Sequence, residues 1–149
     1  MDAIDVTATT TIEAPRDKVA AYVVDNRNDP AWIGGISESE LLGDPPIAVG
    51  SRVRRVASFM GKRIEYVNEV TRLDPGSVLE MHSVKSPFPM QITYAFEDAA
   101  GGTQASVRVQ GGASLFYRLA GPLLSRQVKK NVQADLERLK GILEKEQSR

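Results

Sequence analysis

A chain of 149 residues, 42% apolar and 26% charged, is long enough to bury a full core and too apolar for disorder. Nineteen basic residues offset nineteen acidic ones, so no net field draws the chain to nucleic acid or to an anionic membrane. With no cysteine there are no disulfides, thiolate nucleophiles or cysteine-ligated metals, and a single histidine excludes a multi-histidine metal site.

The opening MDAIDVTATTT has neither the basic nor the apolar region of a signal peptide. No stretch approaches the ~20 apolar residues of a membrane span. A cytoplasmic protein, read as one domain over residues 1–149, is the expectation.

Ile4, Val6, Ala8, Thr10 and Ile12 alternate with polar residues, which predicts a half-buried strand. Pro15 suits the first turn of a helix, and Asp17 places a negative charge near its positive end. Val19 and Val23 give that helix an apolar side. Asn26 to Pro30 break it, and a second short helix fits around Trp32.

Helical periodicity then disappears for some eighty residues. Strands are predicted over Ile36–Leu42, Ser51–Phe59, Arg63–Leu73 and Val78–Val84, then from Met90 to Glu97 and around Ala105–Val109. Breaks fall at Gly43–Pro46, Met60–Gly61, Asp74–Ser77, Ser86–Pro89 and Ala99–Gly102. The Asp-Pro-Gly-Ser break carries Pro and Gly where a type II turn wants them. These short connections imply an antiparallel meander.

The chain closes on Leu124, Val128, Val132, Leu136, Leu139 and Leu143, one apolar stripe at helical spacing. A helix from Gly121 to Lys145 would span about 37 Å, too long for a connector. Its stripe must be buried against the sheet. The fold class is therefore α+β: a curved antiparallel sheet of about seven strands wrapped around a long C-terminal helix, with two short helices after the first strand.

Several motifs in this order resemble one family. Ile12–Glu13–Ala14–Pro15–Arg16–Asp17–Lys18–Val19 is similar to the I-x-A-P-x-x-x-V opening of the SRPBCC superfamily, which comprises the START-like, Bet v 1-like and polyketide cyclase/dehydrase-like proteins. Trp32 in its D-P-x-W setting, Val49–Gly50–Ser51, Gly61–Glu65, Glu69–Pro75 and the terminal Asn131–Leu143 resemble further segments of that family. The resemblance implies a helix-grip fold with a deep, mostly apolar cavity between sheet and helix, holding lipids, polyketides, steroids or quinones. Some members cyclise or dehydrate their ligand, some only carry it, and others act on partner proteins, so fold alone does not decide function.

No catalytic constellation is assigned. His82 shares strand parity with Glu80 and falls on the outer face, and no G-x-S-x-G elbow accompanies it. Gly34–Gly35, Gly101–Gly102 and Gly111–Gly112 read as turn, bulge and strand-end glycines, since no phosphate-cradling pattern surrounds them. Arg52, Arg54, Arg55, Lys62 and Arg63 cluster on one hairpin and read as a solvated face paired with Glu65 and Glu69. Glu65, Glu69 and Glu97 have outward parity.

What remains is a set of inward positions. Tyr66, Asn68, Ser83 and Tyr94 are expected to orient the polar atoms of a ligand. Met81, Met90, Trp32, Val128 and Val132 are expected to supply apolar wall. A buried Asn68 amide costs ~1–3 kcal/mol unless it is hydrogen-bonded, which a wet pocket would satisfy.

The leading expectation is binding of an apolar small molecule, with no cofactor or metal and no nucleic-acid partner. One alternative is a cyclase or dehydratase using Tyr66 with a carboxylate. Another is an interaction module working through the helix and Lys129 and Lys130, because Arg118 onward holds eight basic residues against four acidic. The oligomeric state, a homodimer included, is left open.

Overall fold

The computed structural model describes residues 4–59, 61–85, 89–111 and 115–148, with side chains in these ranges except at Phe59 and over residues 115–122. Met60, the Ser86–Phe88 part of one predicted break, and Gly112 lie outside the described residues. The elements run β1 (Ile4–Ile12), α1 (Arg16–Val24), a 3-10 turn (Asn26–Asn28), α2 (Asp29–Trp32), β2 (Ile36–Leu42) and β3 (Arg52–Phe59). There follow β4 (Lys62–Asp74), β5 (Val78–Lys85), β6 (Met90–Ala99), β7 (Gly102–Gly111) and α3 (Leu115–Gln147).

All seven strands join one antiparallel sheet in the order β1-β7-β6-β5-β4-β3-β2. The meander from β2 to β7 follows from its short turns. β1 then pairs beyond β7, with Ala8 opposite Val107 and Thr10 opposite Ala105. Register fixes one face: Ala8, Val107, Tyr94 and Leu79 lie side by side across β1, β7, β6 and β5. All four are buried.

Pro15 makes the corner at which the chain leaves the sheet. Its extended backbone (φ −61°) stands just ahead of α1, and its carbonyl accepts from the Lys18 and Val19 amides at 3.0 and 3.1 Å. The neighbouring residues pin the corner. Arg16 Nη1 donates to Gly76 O at 3.1 Å and Ser77 Oγ at 2.7 Å, and Thr103 Oγ1 donates to Ala14 O at 2.7 Å. These bonds hold α1 over one end of the sheet, where Val19, Ala20 and Val23 enter the core.

The long helix begins earlier than its sequence suggests, at Leu115 rather than Gly121, because glycine followed by proline reads as a boundary. Its 33 residues correspond to about 50 Å. The apolar stripe is buried unevenly. Leu124, Leu136, Leu139 and Leu143 are fully buried, whereas Val128 and Val132 between them are only partly so. The C-terminal half of α3 is therefore pressed into the core while its middle stands off the sheet. No helix among the described residues is long and apolar enough to cross a membrane.

The outer face is as strand parity requires. His82 is exposed, and Arg52 and Arg54 pair with Glu69, Glu40 and Glu38 at 3.1–3.4 Å. Arg55 is the exception. It has the parity of buried Val53 and is itself buried, so it belongs to the inner face and not to the solvated cluster.

Candidate functional site

Where α3 stands off, a cavity of about 460 Å³ opens between its middle and the sheet. The apolar wall comes from both layers: Ile4, Ile64, Met90, Ile92 and Val109 from the strands, Val128 and Val132 from the helix. The remaining side is the loop Ile33–Ile36, which links α2 to β2. Val128, Asn131, Val132, Asp135 and Arg138 all line the cavity because their spacing of three and four residues repeats one helical face.

The loop is tied to α3 by two charged side chains. Gly34 N donates to Asp135 Oδ1 at 2.9 Å, Arg138 Nη1 donates to Trp32 O at 2.8 Å, and Arg138 also pairs with Asp135 at 3.0 Å. The two glycines make this close approach feasible. A Cβ on Gly34 would lie 2.9 Å from Arg138 Nη1, and one on Gly35 would lie 2.9 Å from the Ser58 carbonyl. Gly35 O also accepts from Ser58 N at 2.8 Å, so the loop is fixed to β3 as well. Gly34, Gly35, Ser58, Ala134 and Arg138 are the exposed lining residues along this seam, which places a mouth of the cavity there.

Beneath the loop lies a buried polar network. Arg55 Nε donates to Asp29 Oδ2 at 3.0 Å, with side chains only 4% and 1% exposed. Ser39 Oγ donates to the same carboxylate oxygen at 2.7 Å, and Arg55 Nη1 reaches Tyr94 Oη at 3.3 Å. Tyr66 stands opposite Arg55 in the β3–β4 register. This network fastens α2 onto the sheet and forms the floor against which Tyr66 is set.

The electrostatics follow from burial. Burial pushes the Tyr94 phenol up to about 12, against the pull of Arg55. Tyr66 is raised for the same reason, again opposed by Arg55. Burial opposes the Arg55 charge, but Tyr94 and Asp29 hold it ionised, above the usual arginine value. Burial also raises Asp135, partly offset by the hydrogen bonds from Gly34 and Arg138.

Of the nine residues expected to contact a ligand, Tyr66, Met90, Val128 and Val132 line this cavity, and the other five sit elsewhere. Trp32 is 1% exposed, packed edge-on to Tyr94 with ring centroids 5.9 Å apart, so its backbone carbonyl, not its indole, meets the cavity wall. Tyr94 lies below, in the polar network. Met81 borders a separate void of about 10 Å³ beside Asn26, Asp29 and Arg55. Ser83 Oγ accepts from Met90 N at 2.8 Å and so anchors the start of β6. Asn68 is 2% exposed between Val53 and Ser83, and its Nδ2 has no hydrogen-bond partner among the described residues. Parity placed Asn68, Met81, Ser83 and Tyr94 on the correct face, but the α1 end of that face is filled by core.

Asp29, Arg55, Asn131, Asp135 and Arg138 were not anticipated. The signals existed: Arg55 has the parity of Val53, and Asp135 follows Val132 by three residues on the apolar stripe. Among the described residues, no group of three or more His, Cys, Asp or Glu could hold a metal ion.

The family profile described as "Polyketide cyclase / dehydrase and lipid transport" matches residues 3–144. No curated protein matches the sequence. Among solved structures, a START superfamily protein from Mycobacterium smegmatis is similar at a TM-score of 0.82 and 15% identity, covering 95% of this chain and 97% of that one. The Zhui aromatase/cyclase from a Streptomyces species is similar at 0.80 and 20% identity, covering 95% and 93%. A protein from Thermus thermophilus is similar at 0.80 and 21% identity, covering 93% and 96%. The helix-grip fold and the SRPBCC resemblance read from the sequence motifs are both borne out.

Proposed function

We infer that this chain, which belongs to the polyketide cyclase / dehydrase and lipid transport family, binds one apolar small molecule in the cavity between the sheet and α3. The observation that carries this reading is the stand-off of α3: a stripe that is fully buried at Leu136, Leu139 and Leu143 is only partly buried at Val128 and Val132, over about 460 Å³ of space. That volume falls in the range of ligand pockets, roughly 300–1,000 Å³. The wall is apolar on strands and helix alike, and the polar groups gather along one seam. Burial of an apolar ligand there would contribute about 25 cal/mol per Å² of surface removed from water.

The test is native mass spectrometry of the purified chain, with a thermal-shift screen of lipids, polyketides and steroids. Binding should raise the melting temperature, and Val132→Phe should abolish the rise without unfolding the chain. Ligand responses that survive Val132→Phe unchanged would place binding outside the cavity and refute the reading.

A second reading, a cyclase or dehydratase, is favoured by one specific arrangement. Tyr66 and Asp135 both line the cavity, and the Asp135 charge is felt at the Tyr66 phenol. A phenol and a carboxylate facing one ligand are suited to proton transfer. Turnover of a polyketide analogue that is lost in both Tyr66→Phe and Asp135→Asn, with binding retained, would support it. Turnover indifferent to both substitutions would dismiss it.

A further inference from the structure

Asp135 offers more than a tie to the loop. It and Arg138 are the two charged side chains among the described residues lining the cavity. Arg138 spends Nη1 on both Trp32 O and Asp135 Oδ1, and its side chain is 44% exposed at the rim. Asp135 is the deeper of the two, at 16%. Both of its recorded bonds, from Gly34 N and Arg138 Nη1, fall on Oδ1. Its Oδ2 is left as an acceptor.

Neutral donors complete that end of the cavity. Asn131 lies one helical turn before Asp135 on the same face, and its Oδ1 accepts from Gln127 Nε2 at 2.9 Å, which leaves the Nδ2 group to donate. Tyr66 brings a phenol from the sheet side. Arg55, opposite Tyr66 in the sheet, is not a lining residue and is already paired with buried Asp29.

We propose that Asp135 sets the headgroup specificity of the cavity: it selects apolar ligands whose polar end is a neutral hydroxyl, an alcohol or phenol, and rejects those ending in a carboxylate. This rests on the cavity being the ligand site. A hydroxyl donates to Asp135 Oδ2 and accepts from Asn131 or Tyr66, so every polar group is satisfied. A carboxylate at that position faces a like charge, while Arg138, the lining cation among the described residues, stands farther out at the rim and already shares Nη1 with Asp135.

The test uses three probes of one shape, 2-naphthol, 2-naphthoate and naphthalene, titrated at pH 7.5 into the full chain by calorimetry and by amide chemical shifts. The wild type should bind 2-naphthol tighter than 2-naphthoate by about tenfold or more, the factor that about 1.4 kcal/mol of discrimination produces. Asp135→Asn keeps an acceptor for Gly34 N and removes the charge, so the ratio should collapse mainly through tighter 2-naphthoate binding. Should that variant lose its native circular dichroism, Asp135→Ser tests the same charge. Naphthoate bound as well as naphthol by the wild type would overturn the specificity inference while leaving the cavity reading intact. A ratio unchanged by removing the Asp135 charge would overturn the assignment to this residue. If none of the three shifts the lining amides, the cavity reading falls and the inference with it.

Discussion

The buried pair Asp29–Arg55 gives the sharpest test of how the site is held. Replacing Asp29 by Ala leaves a guanidinium with a 4% exposed side chain facing Tyr94, and removes the acceptor of Ser39 Oγ as well. Breaking one side of a buried pair costs roughly 3–5 kcal/mol, because the remaining charge is neither solvated nor neutralised. Against a total stability of roughly 5–15 kcal/mol, that is about a fifth of the fold or more. For a chain of this size the melting temperature should drop by about 6–20 °C, at roughly 2–4 °C per kcal/mol. Arg55→Met should cost a similar amount, since it strands the Asp29 carboxylate. The double variant Asp29→Ala with Arg55→Met strands neither, and should be several kcal/mol less damaged than the sum of the singles. Urea unfolding of the four proteins, read by Trp32 fluorescence, supplies the cycle. Additive losses, or single losses under about 1 kcal/mol, would refute the claim that these groups act as one desolvated pair.

Other consequences are equally accessible. Gly35→Ala drives a Cβ to 2.9 Å from a backbone oxygen of β3, so it should destabilise by about 1–3 kcal/mol in urea unfolding, whereas Gly43→Ala, with open space around it but a φ of 133°, reports backbone strain alone. Val132→Phe places its ring in the 460 Å³ cavity, so stability should change by less than about 1 kcal/mol while apolar probes lose affinity by calorimetry. Tyr94 titrates at about 12 in the folded chain and near 10 when unfolded, so the native state binds the extra proton between those values. Stability should then fall as pH rises from 10 to 12, by up to about 2.7 kcal/mol, and Tyr94→Phe should show a shallower decline. Asp135 is also raised by burial, so its contribution is most favourable below the ordinary carboxylate value of 3.8 and weakens as pH rises through its folded value. Asp135→Asn should flatten that part of the pH–stability curve.

Parity and periodicity carried the sequence reading as far as a face, and no further. Alternation along β4 and β6 put Tyr66, Asn68, Met90 and Tyr94 on one side of the sheet, and the structure agrees. Which stretch of that side is cavity depends on where α1 and α3 come to rest, and strand alternation contains no information about that. At one end Val23, Val70, Leu79, Phe96 and Leu139 pack into a filled core. At the other, Ile64, Met90 and Val109 face open volume. Residues two positions apart on a strand thus share a face and part company in function: Tyr66 lines the cavity, Asn68 does not. The charged pairs were hidden for a different reason. Asp29 and Arg55 are 26 residues apart, and Gly34 and Asp135 are 101 apart. Each looks like an ordinary solvated residue until the α2 segment docks.

That docking ties the stability of the fold to the mouth of the cavity. The Asp29–Arg55 pair holds α2 down onto the sheet, while Asp135 and Arg138 hold the Ile33–Ile36 loop against α3. The two attachments meet in a segment of eight residues, Asp29 to Ile36, which contains one short helix and two glycines. A ligand entering by the Gly34–Ala134 seam must part the second attachment but need not touch the first. Arg138→Ala should therefore speed ligand exchange at a smaller cost in stability than Asp29→Ala, because its side chain is 44% exposed and solvent screens its charge. Asp29→Ala should lower stability and affinity together, because it frees the whole segment. Stopped-flow dissociation of a bound fluorescent apolar probe separates these outcomes. Equal acceleration by both variants, at equal cost in stability, would mean that the loop and α2 move as one piece and that Arg138 is no separate latch.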